Sequence, residues 1–198
     1  MTVRPPRSLA PDYFETLYAA DPDPWRFATS GYERAKYAAT LAGLPHPRYS
    51  QALEVGCSIG VLTAELAARC DRLVAIDAAA APLREARRRC ASLPQVEFHQ
   101  MAVPRDWPPG GFDLILLSEV VYYLNMPDLR RLASHAEASL RPGGHLLLVH
   151  WTGETDYPLS GDAAARAFIA ACPFAPVLHQ SRAEQYRLDL LRRPDAPP

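Results

Sequence analysis

The sequence predicts an α/β fold, with one mostly parallel sheet covered by helices on both faces. Three observations point there. From residue 51 onward, short apolar runs alternate with segments of helical period. The run Phe112-Asp113-Leu114-Ile115-Leu116-Leu117-Ser118 is almost continuously apolar, as a parallel strand buried on both faces must be. Near the end, two strand-like runs (177–179 and 186–191) are joined by residues 180–185 alone. A crossover needs more chain than that, so the pair is expected to be antiparallel.

Bulk composition bounds the rest. The chain has 198 residues, 48% of them hydrophobic and 22% charged, which suits one domain with a real core. A formal charge of -1 argues against nucleic acid as the main partner. Cys57, Cys70, Cys90 and Cys172 form no C-x-x-C pair, and the 6 histidines show no ligand spacing, so no metal is expected. The scattered cysteines read as reduced thiols, which places the protein in the cytoplasm. The segment Met1-Thr2-Val3-Arg4-Pro5-Pro6-Arg7 lacks the apolar stretch of a secretory signal, and no run has the length of a membrane span. A membrane partner is therefore not expected.

Taken in order, residues 1–10 and 192–198 read as disordered ends. Residues 12–18 form a short helix that Asp12 is placed to cap. Pro22 and Pro24 exclude a helix over 21–25. A second helix spans 32–41 and is stopped by Gly43 and Pro45. Strand 52–55 leads through a glycine turn into helix 61–69. Strand 72–77 ends in an acid, and helix 82–92 carries Pro82 in its first turn. Strand 95–101 precedes strand 112–118. Helix 127–140 is stopped by Arg141-Pro142-Gly143-Gly144, and strand 145–150 follows. After loop 151–160 comes a helix with Asp162 as its cap. The division expected is a helical lid segment over 1–45, a sheet domain over 46–193 and a tail over 194–198.

The turn Glu54-Val55-Gly56-Cys57-Ser58-Ile59-Gly60 is the main functional signal. Gly56 admits a ligand close to the backbone, Gly60 permits close helix–sheet packing, and the helix start offers free N–H groups. A dinucleotide site needs G-x-G-x-x-G, whose second glycine is missing here. The turn instead resembles the E-x-G-x-G-x-G turn of class I S-adenosylmethionine (SAM) methyltransferases, with Ser58 in place of the middle glycine. That resemblance implies a Rossmann-like, seven-stranded sheet closing with an antiparallel hairpin, and SAM as cofactor. Asp77, about 20 residues on at the end of the next strand, is the candidate partner of the ribose diol. A solvated loop acid is the plainer alternative. By the same resemblance Met101, Ala102 and Val103 line the adenine. Ala102 stands where many relatives carry an acid, so backbone contacts must read the base. Glu54, Gly56, Cys57, Gly60, Ala78 and Ser118 complete this part of the cofactor set.

Asp23-Pro24-Trp25-Arg26, then Tyr32-Glu33-Arg34, then 112–115 running into Ser118-Glu119-Val120-Val121-Tyr122-Tyr123-Leu124, resembles the NodS-type N-methyltransferases. The resemblance covers residues 21–148 and stops near residue 150. It implies methylation of a small-molecule amine, the free amine of an amino sugar or chitooligosaccharide-like acceptor. It also implies a lid in which Trp25, Arg26 and Arg34 reach the cofactor, with Arg26 able to grip a carboxylate. Trp25 as a plain anchor, and Glu33 and Arg34 in a mutual or neighbouring salt bridge, are the alternatives.

Methyl transfer is an in-line displacement, and an ammonium has no lone pair to attack with. A group must therefore favour the neutral amine or take its proton. Glu119, just past a strand end where open α/β sheets collect ligands, is the first candidate; bonding backbone N–H groups is its other role. His150, at the end of the next strand, is a second candidate base and would serve an O-methyltransferase on a sugar or natural-product hydroxyl. Tyr122 and Tyr123 are candidates to stack on a sugar ring or donate a hydroxyl bond, and packing under the next helix suits one of them. Trp151 is a candidate sugar-stacking wall. A SAM-binding module without turnover is a third reading. Arg84, Arg87, Arg88 and Arg89 with Glu85 read as a solvated helix face. Ser118-Glu119-Val120-Val121 departs from the Asn/Asp-Pro-Pro-aromatic turn of DNA amino-methyltransferases. The oligomeric state is left open.

Overall fold

In a computed structural model, which describes residues 4–196, the apolar runs become seven strands. These are β1 (Ala52–Val55), β2 (Leu73–Asp77), β3 (Val96–Gln100), β4 (Phe112–Ser118), β5 (Leu140–Trp151), β6 (Val177–Arg182) and β7 (Tyr186–Arg192). The helices are α1 (Pro11–Ala20), α2 (Gly31–Ala42), α3 (Val61–Leu66), α4 (Ala80–Arg89), α5 (Met126–Ser139) and α6 (Gly161–Ala170). A 3-10 turn (Val121–Tyr123) lies between β4 and α5.

The sheet order is β3-β2-β1-β4-β5-β7-β6. β1 pairs parallel with both β2 and β4, and β7 pairs antiparallel with both β5 and β6. The order reverses between β1 and β4, and such a switch point opens a crevice at the C-terminal strand ends. Val55 lies opposite Ile76 and Leu117, so the ends of these three strands deliver the glycine turn, Asp77 and Ser118 to one edge. Alternate residues bury against different helices. Leu53, Val55, Ile115 and Leu117 pack toward α5 and α6, with Leu129, Leu132, Ala164 and Phe168. Leu114, Leu116, Leu147 and Val149 pack toward α2 and α3, with Tyr37, Leu62 and Leu66.

Several local expectations are corrected. Asp12 does not cap α1: the N-cap is Ala10, Pro11 opens the helix, and Asp12 sits in the first turn, where its charge suits the positive helix end. Asp162 does not cap α6; the Ser160 side chain accepts from Ala163 N–H at 3.2 Å. Asp162 turns instead to Arg187 at 2.8 Å and to Arg182. β6 runs on to Arg182, leaving residues 183–185 as the hairpin turn.

Residues 4–10 are tethered rather than free. Leu9 N–H reaches Tyr123 O at 2.9 Å, Arg4 reaches Tyr157 O at 2.6 Å, and Ser8 reaches Asp128 at 2.5 Å. The other end is tied by Arg193 N–H to Gly144 O at 2.9 Å and by Arg192 to Asp195 at 2.8 Å. The rest of the expected disorder, at residues 1–3 and 197–198, lies outside the described residues. Among the described residues no helix is long and apolar enough to cross a membrane, and no group of His, Cys, Asp and Glu is placed to hold a metal ion.

Candidate active site

A cavity of about 380 Å³ opens over the C-terminal ends of β1, β2 and β4. Its floor is the glycine turn, and its near wall is aromatic: Phe14 and Tyr18 of α1, then Trp25 and Phe27. A smaller cavity of about 30 Å³ adjoins it, lined by Glu33, Glu54, Cys57 and Glu119 among others. Glu119, Gly56, Ser58 and Ser118 face both.

The turn's backbone explains its residues. Gly56 has φ +83°, Ser58 φ +50° and Gly60 φ +78°. A Cβ on Gly56 would lie 2.4 Å from Val120 Cγ2 and 2.9 Å from Ser118 O. The close approach that requires glycine is thus to the end of β4 as much as to any ligand. A Cβ on Gly60 would lie 2.9 Å from Ala86 Cα, so Gly60 joins α3 to α4 and lines neither cavity. Ser58 adopts the left-handed backbone that a middle glycine would take freely. Its N–H donates to Asp77 Oδ2 at 2.9 Å, and its hydroxyl bonds the Tyr18 hydroxyl.

Asp77 lines the cavity and also accepts from Ala79 N–H at 3.0 Å. Burial raises its carboxyl to about 6, with the backbone bonds pulling the other way. Glu54 is 1% exposed, and its Oε2 has no hydrogen-bond partner. Burial raises it to about 7, which the Thr63 hydroxyl opposes. Ala78, Met101, Ala102 and Val103 line one wall of the large cavity. The Ala102 N–H, expected to help read a base, is taken by Asp106 Oδ2 at 2.9 Å. Asp106 itself lines neither cavity and pairs with Arg105.

The N-terminal residues divide. Trp25 lines the cavity, stacked on Phe27 at 5.6 Å and edge-on to Tyr18 at 5.7 Å. Arg26 is exposed and lines neither cavity; its backbone, at φ +60°, receives the N–H groups of Thr29 and Ser30. Arg34 is exposed and donates to Thr29 O at 3.2 Å. Of the two salt bridges open to Glu33, it makes the neighbouring one, with Lys36 at 3.0 Å.

Glu119 stands at φ +58° just past β4. Its Oε1 lies 2.6 Å from Lys36 Nζ, and its Oε2 accepts from Tyr122 OH at 2.7 Å and Trp151 N–H at 2.8 Å. Burial works to raise this carboxyl, yet the Lys36 charge and the hydrogen bonds outweigh it and hold it below the usual glutamate range. Lys36 was missed in the sequence. Its only local sign is the i,i+3 spacing to Glu33 on α2.

Tyr123 lines the large cavity, edge-on to Phe14 at 4.9 Å, while Tyr122 is buried beneath it. His150 is 0% exposed and lines neither cavity. Its Nε2 accepts from Val121 N–H at 3.2 Å, Nδ1 has no partner, and burial keeps the ring neutral down to about 4. The Trp151 ring stands against Tyr32 at 5.5 Å, outside both cavity walls. The structure therefore brings Glu119, Tyr123, Asp77, Ser118 and the glycine turn together, and leaves His150, Arg26 and Arg34 apart.

Strand order, switch-point cavity and glycine turn define the fold of a class I SAM-dependent methyltransferase. Within that class, residues 12–147 match the model of the family Nodulation protein S (NodS), and the chain belongs to that family. Nodulation protein S of Rhizobium tropici is 36% identical over 131 residues, covering 65% of this chain and 55% of the relative. The chain spans about half the length of the curated relatives it matches. Among solved structures, a putative methyltransferase from Pseudomonas syringae is 41% identical with a TM-score of 0.73, over 83% of this chain and 100% of that one. The N-methyltransferase NodS from Bradyrhizobium japonicum WM9, in complex with S-adenosyl-L-homocysteine, is 25% identical with a TM-score of 0.80, over 93% and 98%.

Proposed function

We propose that the chain is a SAM-dependent N-methyltransferase acting on the amine of a small molecule, an amino sugar or chitooligosaccharide-like acceptor. The observation that carries this reading is the Glu119 carboxylate, paired with Lys36, on the cavity wall beside the glycine turn. The NodS structure bound to S-adenosyl-L-homocysteine supports it.

The residues present fit the cofactor. SAM carries a sulfonium and an ammonium, and this cavity system presents Asp77, Glu54 and Glu119, with Glu54 Oε2 buried and unpartnered. Asp77 would hold the ribose, since a carboxylate has acceptor sites beyond the two N–H bonds it already receives. Ala78, Met101, Ala102 and Val103 would hold the base; Gly56, Cys57 and Ser118 would face the amino-acid tail. When bound, the cofactor supplies a methyl carbon whose bond to sulfur breaks as the acceptor lone pair bonds to carbon.

Glu119 attracts the incoming ammonium; the ammonium gives one proton to water, and Glu119 then accepts an N–H bond from the resulting neutral amine, pointing its lone pair along the cavity. Because Lys36 keeps Glu119 weakly basic, the displaced proton passes on to water. Tyr123 offers a ring face and a hydroxyl to the acceptor. The described part of the 1–45 segment, residues 4–45, acts as the lid, since Phe14, Tyr18, Trp25 and Phe27 wall the cavity over a sheet domain of 46–193. The hydroxyl-acceptor reading depends on His150, which is buried with Nε2 engaged, so the amine reading is preferred. The four buried free thiols support a reducing, cytoplasmic setting.

Mass spectrometry of glucosamine oligomers incubated with protein and SAM tests this. Methylation of the free-amine oligomers is expected, and equal methylation of their N-acetylated forms would overturn the amine reading.

A further inference from the structure

We infer that Lys36 is a positioning residue, the cation that fixes the place and the charge of the Glu119 carboxylate at the cavity wall. Its role in turnover rests on the reading of Glu119 as the group that receives the acceptor amine.

Lys36 is 2% exposed, and its Nζ lies 2.6 Å from Glu119 Oε1 and 3.0 Å from Glu33. Taking an ammonium out of water is costly, and only close, hydrogen-bonded partners offset it. Here two carboxylates from different elements share one lysine. α2 supplies Glu33 and Lys36, and the end of β4 supplies Glu119 in a strained left-handed backbone. The lysine ring contact is Tyr32, 5.3 Å from Nζ.

The arrangement is directional. Lys36 holds Oε1, while Tyr122 OH and Trp151 N–H hold Oε2, so the carboxylate plane is pinned from three sides. Charged and titratable groups facing it are Glu33, Tyr32, Lys36 and Tyr37 of α2, Tyr122 of the 3-10 turn and His150 of β5, with Glu54 of β1 across the small cavity. Lys36 is the one cation that touches the Glu119 carboxylate among the described residues. Remove it, and burial together with Glu33 favours the protonated, neutral acid. A neutral Glu119 neither attracts an ammonium nor accepts as strongly from an amine.

The experiment combines ¹³C carboxyl NMR titration of the full chain, assigned with Glu119→Gln, and pH–rate profiles. In Lys36→Met the proton affinity of Glu119 is expected to rise about 100-fold. Lys36→Arg is expected to keep it near the wild-type value. Kinetically, Lys36→Met raises KM for the amine and moves the acid limb of kcat/KM upward with that titration, and Lys36→Arg restores both. A purely structural lysine would lower the unfolding temperature and leave the limb in place. If Lys36→Met folds poorly, Glu33→Gln/Lys36→Met removes one uncompensated charge and carries the same titration. A Glu119 titration unmoved by either variant overturns the inference. A moved titration in a protein that methylates no free amine sinks the amine reading, and leaves Lys36 as the group that sets the charge of Glu119.

Discussion

The Glu15 carboxylate of α1 caps α4, its Oε1 accepting the Ala80 N–H at 2.6 Å. The α4 N-cap, Ala79, has no side chain able to do this, so the cap is supplied from the N-terminal segment. Together with the bond between Tyr18 and Ser58, it fastens α1 across the cavity beside Asp77.

Glu15→Ala is therefore expected to cost about 1 kcal/mol of stability, the usual magnitude for a lost cap. Because the lost bond fastens α1 to α4 beside the cavity, the same variant should release S-adenosyl-L-homocysteine several-fold faster. Chemical denaturation and stopped-flow dissociation read the two effects. Loss of stability with an unchanged off-rate would show that α1 does not restrain the ligand.

Gly56→Ala should be among the most damaging small substitutions in the chain. At φ +83° a Cβ costs about 1–2 kcal/mol of backbone strain. The close approach of that Cβ to Val120 Cγ2 adds roughly 1–3 kcal/mol of overpacking. Adding Val120→Ala should relieve the contact with Val120 and leave the backbone strain and the approach to Ser118 O. Full recovery in the double variant would show that φ at Gly56 carries no cost.

The elements that could be read from the sequence are those whose causes are local. β4 is a nearly unbroken apolar run, Asp77 closes a strand, and the glycines mark left-handed turns, so strand, acid and turn were placed correctly. What escaped are contacts made across long stretches of chain. Lys36 meets Glu119 from 83 residues away and Glu15 meets Ala80 from 65, and no periodicity records either. Residues 4–10 have the composition of coil, while their tethers run through the Arg4 and Ser8 side chains and the Leu9 backbone to distant parts of the chain. Asp162 suits a cap by residue type, but Ser160 takes that place and Asp162 pairs with Arg187 25 residues away, a contact that no local spacing records.

Glu54 makes the ligand-free protein pH-sensitive. Its folded carboxyl is raised from 4.5 to about 7, so between those values the unfolded chain ionises while the folded one keeps its proton. Stability from this group is complete below pH 4.5 and lost as pH rises toward 7, by about 3 kcal/mol. His145 and His150, held neutral down to about 4, slope the opposite way, so the measurement is the difference from Glu54→Gln. That variant should gain on wild type steadily from pH 4.5 to 7 and stay level above. A pH-independent difference would refute the raised carboxyl.

Glu119 and Tyr122 should separate on activity. Glu119→Gln keeps the shape of the side chain and removes its charge, leaving Lys36 with Glu33 alone. Loss of both ammonium attraction and strong acceptance is expected to lower kcat/KM for an amino-sugar amine by roughly 100-fold, within the range that acid–base groups supply. Tyr122→Phe removes only one of three donors to the carboxylate, the others being Lys36 and Trp151 N–H. A bond to a charged acceptor contributes about 1.5–3 kcal/mol, so this variant should lose stability more than rate. Steady-state kinetics with free-amine oligomers, alongside thermal unfolding, compares the two. Equal losses of kcat/KM in both variants would shift the working group from the carboxylate to the tyrosine hydroxyl, and an unchanged Glu119→Gln would remove Glu119 from the reaction altogether.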